Sequence, residues 1–209
     1  SAVPLGYYDI AQMTTSGATL AIAAMGQTVV ILSGGFDLSA AAVISLVNVT
    51  LATFPSDGSV SPWTLAAVGV GIGMAVGAFN GFFIAVLRMQ PIVVTLSTMF
   101  ILQGVTLLVM DKPGGFIGAD LGAFYLGDAI PGWLPMSPVV IGVLLLLWLW
   151  LKGTRFGTTI YAVGSDPDAA AAVGVNVMLT RFLVYVLAGG CYGLAGVFIS
   201  AQTGSGDPL

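Results

Sequence analysis

Residues 152–181 read KGTRFGTTIYAVGSDPDAAAAVGVNVMLTR. They lie between two strongly apolar runs, residues 136–151 (MSPVVIGVLLLLWLWL) and 181–202 (RFLVYVLAGGCYGLAGVFISAQ). The loop holds Lys152, Arg155 and Arg181, three of the five basic residues in the chain. Apolar runs near ~20 residues read as membrane-crossing helices, and the loops that collect Lys and Arg face the cytoplasm. Within this loop residues 164–174 spell a short helix. Ser165 or Asp166 can accept backbone N–H bonds as the N-cap. Pro167 suits the first turn, where its missing donor costs nothing, and Asp168 suits the positive end of the helix dipole. Ala169, Ala170 and the two alanines after them carry the helix, and Gly174 suits a left-handed C-cap. A helix of about two turns is not stable alone in water. It needs a surface, either its own membrane domain or a cytoplasmic partner that docks there.

The composition agrees with a membrane protein. Of 209 residues, 57% are hydrophobic and 7% are charged, against roughly 25% charged in a soluble domain; mean hydropathy is +1.04. Too few polar side chains exist to coat a water-facing surface. Strands of a membrane barrel would alternate apolar and polar residues; these runs are unbroken, so the expected class is all-α, a polytopic helix bundle. The net charge of −4 comes from nine Asp against five Lys and Arg, without Glu or His. No basic patch points to nucleic acid. The single cysteine, Cys191, excludes a disulfide within the chain and reads as a small core residue.

Six spans are expected, over residues 10–32, 38–54, 64–87, 91–110, 136–151 and 181–202. Arg88 between the third and fourth spans, and the 152–181 loop between the fifth and sixth, place those connections inside. The loops 55–63 and 111–135 then face outside, with Asp57, Asp111, Asp120 and Asp128 and only Lys112 as a base. The 111–135 loop is rich in Gly and Pro and reads as an ordered loop with short turns. The start at Ser1-Ala2-Val3-Pro4 carries no signal-peptide pattern. With the end at Leu209, it reads as one transmembrane domain over 1–209, truncated at both ends, with a cytoplasmic coupling loop at 152–180.

Three internal features carry functional weight. Ser33-Gly34-Gly35-Phe36-Asp37-Leu38-Ser39 interrupts an apolar run: two glycines release the helix and Asp37 can cap the next one. This is either a tight turn or a broken helix beside a translocation path, because ionisable groups at membrane depth mark such paths. Gly69, Gly73, Gly77 and Gly81 recur every four residues and form a smooth face for close helix packing; Gly189 and Gly193 form a shorter version. Gln12, Gln27, Asn48, Asn80 and Gln103 are the polar groups inside spans. Each is expected to hydrogen-bond between helices, or together with Phe36 and Asp37 to line a hydrophilic path. No Walker A motif, metal-ligand cluster or nucleophile–base pair is present, so no catalytic or metal site is assigned. Without an embedded Lys, Glu or His, a proton relay is disfavoured too.

Three collinear stretches carry a resemblance. Residues 34–46 (GGFDLSAAAVISL), 77–108 (GAFNGFFIAVLRMQPIVVTLSTMFILQGVTLL) and 154–177 (TRFGTTIYAVGSDPDAAAAVGVNV) resemble the permease subunits of bacterial ABC importers for ribose, xylose, arabinose and galactose. The resemblance implies a multi-pass protein of the plasma (inner) membrane, with about ten helices of ~20 residues in the full protein. It implies a monosaccharide or related polyol as solute, a second permease copy, an extracytoplasmic sugar-binding protein and a separate ABC ATPase. The ATPase would hold ATP and Mg, and this chain would bind no cofactor. It assigns ATPase coupling to the helix around Ser165, Asp166, Pro167, Asp168, Ala169, Ala170 and Gly174. Gln103 departs from the family pattern, which places Arg there in many members. The alternative class is a secondary transporter with broken helices, and a weaker one a passive channel.

Overall fold

Local signals set where the helices start. Ser61 accepts a hydrogen bond from the Thr64 N–H (3.2 Å) and is followed by Pro62, which opens α3 (Pro62–Gly81). Pro91 opens α4 (Pro91–Val109) in the same way. Asn176 Oδ1 accepts from the Leu179 N–H (2.9 Å) and opens the long helix α9 (Val177–Thr203), which a left-handed Gly204 closes (φ 64°). Pro fits a helix start and Gly the position past its end for the reasons given above. The computed structural model describes residues 6–55 and 57–208; the Ser1–Pro4 stretch discussed above lies outside them.

In chain order the elements are α1 (Tyr7–Leu32), α2 (Ala40–Leu51), α3 with a π-helical turn Phe82–Val86, α4, α5 (Ala119–Leu126), β1 (Asp128–Ile130), β2 (Leu134–Pro135), α6 (Met136–Lys152), α7 (Arg155–Ser165), α8 (Pro167–Ala172) and α9. The architecture is all-α and polytopic; β1 and β2 form only a small antiparallel pair. Among the described residues four helical stretches are long and apolar enough to cross a membrane: Ala11–Leu32, Pro62–Val86, Pro91–Val109 and Val177–Thr203. Helices α6 and α7 pass only as a pair bent by 78°, a broken span or a re-entrant loop. The second expected span, residues 38–54, is shorter than a full crossing helix. α2 has 12 residues and spans about 18 Å, against a ~30 Å hydrocarbon core. It nevertheless joins the two ends, from the Gly34 turn beside Gly164 to Ala52, whose carbonyl abuts Gly115.

The two ends of the bundle separate the loops as their charges require. At one end lie the 33–35 turn, Arg88, Pro167 and Arg181, which line a common cleft. At the other, Gly114 and Gly206 exchange backbone hydrogen bonds (3.0 and 2.8 Å) and the Ile117 N–H reaches the Gly204 carbonyl (2.9 Å). The 111–135 loop is more regular than its Gly/Pro content suggested, since it contains α5 and the strand pair. Asp128 accepts from the Gly132 N–H (2.8 Å) and the Tyr7 hydroxyl. These bonds stabilise the carboxylate and hold its pKa below the ordinary value.

Helix α9 is the centre of the bundle, with Tyr185, Tyr192 and Phe198 all but fully buried. The glycine face of α3 lies directly on it. A Cβ at Gly73 would overlap the Gly189 carbonyl oxygen and sit 2.8 Å from the Gly193 nitrogen; one at Gly77 would overlap the Tyr185 carbonyl oxygen. Gly69 lies against Val47 and Val197, and Gly81 against Phe182. Gly189 and Gly193 face back onto Gly73 and Gly69. At Gly73, Gly77, Gly189 and Gly193 the two helices meet backbone on backbone, gaining dispersion where side chains would hold them apart. Cys191 is half-buried and packs against the core; it lines an apolar groove with Met25, Leu144, Trp148 and Leu187.

Candidate functional site

The 152–181 segment folds into two helices rather than one. Thr154 caps α7 through the Gly157 N–H (3.2 Å), and Gly157, Ile160 and Val163 bury one face. The i, i+3, i+6 spacing of those residues was a readable signal for an amphipathic helix. Gly164 lies so close to the Leu32 carbonyl that a Cβ would overlap it. The inner end of α7 therefore rests on the end of α1, where the 33–39 break begins. Lys152 and Arg155 sit on the flanks of the α6–α7 turn, and Arg181 lies inside α9, half-buried, rather than in a loop.

Helix α8 has caps of the expected kind, and of the two residues offered as its N-cap the second takes the position. Asp166 Oδ1 accepts from the Asp168 N–H (2.9 Å) and the Ala169 N–H (3.0 Å), so Asp166 is the N-cap and Ser165 is the last residue of α7. Pro167 occupies the first helical position. At the other end Gly174 is left-handed (φ 87°). The Gly174 N–H bonds to the Ala171 carbonyl (3.0 Å) and the Val175 N–H to the Ala170 carbonyl (3.1 Å), the paired arrangement of a Schellman motif. Ala170 faces inward at 4% exposure, so it does not belong to the free face. That face carries Asp168, Ala169, Ala172 and Val173, the last 81% exposed. An apolar residue so open, on a short capped helix, presents a contact surface of shape rather than charge.

The candidate path residues divide into three groups. Asn48 is spent on structure: its Nδ2 donates to Ser200 Oγ and the Ser205 carbonyl (3.1 Å each) and its Oδ1 accepts from the Asp207 N–H (2.7 Å). Gln27 Oε1 accepts from the Tyr192 hydroxyl (2.8 Å), tying α1 to α9. Phe36 and Gln103 are exposed, Phe36 lending its carbonyl to the Tyr185 hydroxyl (3.1 Å). Asp37 and Asn80 belong to one buried network. Asp37 is 5% exposed, and its Oδ1 accepts from the Ser39 N–H (2.8 Å) and hydroxyl (2.6 Å). Asp37 thus organises the turn before α2, while Ser39 is the residue at the N-cap position. Asn80 Nδ2 donates to Ser39 Oγ (3.0 Å) and Asn80 Oδ1 accepts from the Thr98 hydroxyl (2.6 Å). One polar chain therefore joins the break, the end of α3 and α4. Ser39 and Thr98 were not singled out in the sequence, because hydroxyl residues in apolar helices most often bond their own backbone.

Asn48 gives a clean separation of roles. Asn48→Ala removes three hydrogen bonds that hold residues 200–207, one of them to the buried Ser200 and two part-buried, at about 1–3 kcal/mol. The full-length variant should unfold several degrees lower in detergent with an unchanged KM for its solute; a raised KM at unchanged stability would instead place Asn48 on the path.

The comparisons with known proteins agree with this architecture. The family described as "Branched-chain amino acid transport system / permease component" matches residues 10–209. The chain is 37% identical over 193 residues to the galactofuranose transporter permease protein of Escherichia coli (strain K12), covering 91% of this chain and 55% of that protein. It is 32% identical over 205 residues to the D-allose transport system permease protein of the same organism, covering 96% of this chain and 62% of that protein. The ribose import permease protein of that strain is 32% identical over 206 residues, covering 96% of this chain and 63% of that protein. The chain thus spans less than two thirds of the length of these relatives. No solved structure gives a significant match. From the match over residues 10–209 and the helical membrane architecture, the chain belongs to this family of transport-system permease components.

Proposed function

We propose that the full-length protein is the membrane-spanning subunit of an ATP-driven importer for a monosaccharide, pentose or hexose, or a related polyol, in the bacterial inner membrane. The observation that carries this reading is α8. It is a helix capped at both ends with an open apolar tip, at the end of the bundle where the basic residues collect. A separate ABC ATPase would dock on Asp168, Ala169, Ala172 and Val173 and would hold the ATP and Mg itself, leaving this chain without a cofactor. An extracytoplasmic sugar-binding protein would deliver solute to the opposite end, and a second permease copy would complete the path.

A route from α8 into the membrane runs through contiguous contacts. Asp166 belongs to both helices, since its N–H closes α7 on the Ala162 carbonyl (3.1 Å) and its side chain caps α8. Displacing α8 therefore displaces α7. Gly164 bears on the Leu32 carbonyl, so the push arrives at the 33–39 break. From there Asp37, Ser39, Asn80 and Thr98 link to α3 and α4. Coupling of this kind needs packed elements with two discrete arrangements, and the glycine break and the π-turn at Phe82–Val86 are the places where the helices can bend.

The energy source tests the reading. Proteoliposomes containing the whole assembly should accumulate sugar when ATP is supplied on the α8 side and should not when only an ion gradient is imposed. Uptake driven by a gradient without ATP would replace the importer by a secondary transporter; uptake with neither would make it a channel.

A further inference from the structure

Beneath the bundle's inner end lies a cleft of about 440 Å³, bounded by the 33–35 turn, the π-turn, the start of α4, α8 and the first turns of α9. Arg88 and Arg181 both line it. Neither guanidinium makes a hydrogen bond or ion pair among the described residues. Arg88 also has φ 56°, the only positive φ found outside glycine among the described residues. A non-glycine residue in the left-handed region costs about 1–3 kcal/mol and persists where the surroundings demand it. Glycine would end α3 there without strain, and an arginine stands instead.

The depth of the cleft decides its occupant. The π-turn ends at Val86 and α4 begins at Pro91, so Arg88 lies where the apolar spans give way to water. Ile84, Ala85 and Met89 make the adjoining wall apolar, while the arginines supply fixed forks of donors that match phosphate oxygens. Asp168 stands on the α8 side of the same cleft. Two arginines against one carboxylate leave a single net positive charge, which suits a monoanionic phosphodiester better than a dianionic phosphate. Basic pockets between helices on the cytoplasmic side of membrane proteins hold anionic lipid headgroups.

We propose that this cleft seats the phosphodiester headgroup of an anionic membrane lipid, with Arg88 and Arg181 as its ligands and the acyl chains lying along the π-turn and α4. The inference rests on the placement of the two arginines and not on the transport reading, and it survives if the solute or energy source is different. Lipid bound here would brace the base of α8 against the membrane.

The test uses the full-length permease in nanodiscs of phosphatidylcholine with or without phosphatidylglycerol, followed by release of the protein and counting of retained lipids by native mass spectrometry. Wild type should retain phosphatidylglycerol in preference to phosphatidylcholine and unfold at higher temperature when it is present. Arg88→Gln and Arg181→Gln should each lower that retention by roughly fivefold, as expected for ~1 kcal/mol per basic residue at a membrane surface. Arg181→Lys should keep most of it, and Arg155→Gln, outside the cleft at the same end, should change nothing. Inorganic phosphate at millimolar concentration should neither compete nor stabilise. Equal retention of the two lipids by wild type, unchanged retention in both glutamine variants, or displacement by inorganic phosphate would each overturn the proposal. So would variants that keep the lipid and lose only ATPase binding, which would make the cleft a protein-docking site.

Discussion

Gly73→Leu is expected to prevent α3 and α9 from assembling, while Gly71→Leu, two residues away on the same helix, leaves the protein intact. The contrast follows from what surrounds each position. A Cβ at Gly73 overlaps the Gly189 carbonyl oxygen and crowds Gly193, both backbone atoms that cannot rotate away. A Cβ at Gly71 meets nothing within 4 Å. At position 73 the helices must separate, losing the contacts along Gly69, Gly77 and Gly81 as well, at about 3 kcal/mol or more. At position 71 the change replaces a poor helix former with a good one, worth roughly 0.8 kcal/mol in the other direction. Thermal unfolding of the two full-length variants in detergent, with the yield of folded protein from membranes, measures both. Comparable behaviour of the pair would mean that the α3–α9 seam is not the backbone contact described here.

Much of this arrangement was legible in the residues because it follows from local chemistry. Four glycines at a spacing of four can only make a stripe on one helix face, and the stripe found its partner in α9. The caps of α8 were readable because Asp, Pro and Gly have strong positional preferences. Loop charge separated the two ends correctly, although Arg181 proved to lie inside a helix. What stayed hidden depends on tertiary context. Asn48 and Asn80 look alike as single polar residues in apolar runs, yet one clamps the end of α9 and the residues after it and the other links three helices at the break. The shortness of α2 was visible in part, since the run from Leu38 to Phe54 is already short of the ~20 residues of a crossing helix, and its helical part, Ala40–Leu51, is shorter still. The inward rotation of Ala170 was invisible too, since four consecutive alanines carry no amphipathic signal from which a buried side could be chosen.

The second large effect is expected at the tip of α8. Val173→Asp places a charge on a residue that is 81% exposed and makes no contact on which folding depends. The bundle should therefore keep its stability within about 0.5 kcal/mol, the range for surface substitutions. If the ATPase packs on this tip, the charge must be buried without a partner, costing about 3 kcal/mol of docking or more, a loss of coupling by two orders of magnitude. Ala170→Asp is unsuitable for the purpose, because that residue is buried and its substitution would disturb α8 itself.

The most direct measurement is ATP hydrolysis by the complete importer, reconstituted with its binding protein and screened across pentoses and hexoses, for wild type and for Val173→Asp. The account predicts that one sugar stimulates hydrolysis in the wild type, and that Val173→Asp folds and inserts normally yet shows neither stimulation nor uptake. A folded Val173→Asp variant with wild-type stimulation and uptake would contradict it, and would move the coupling contact away from α8.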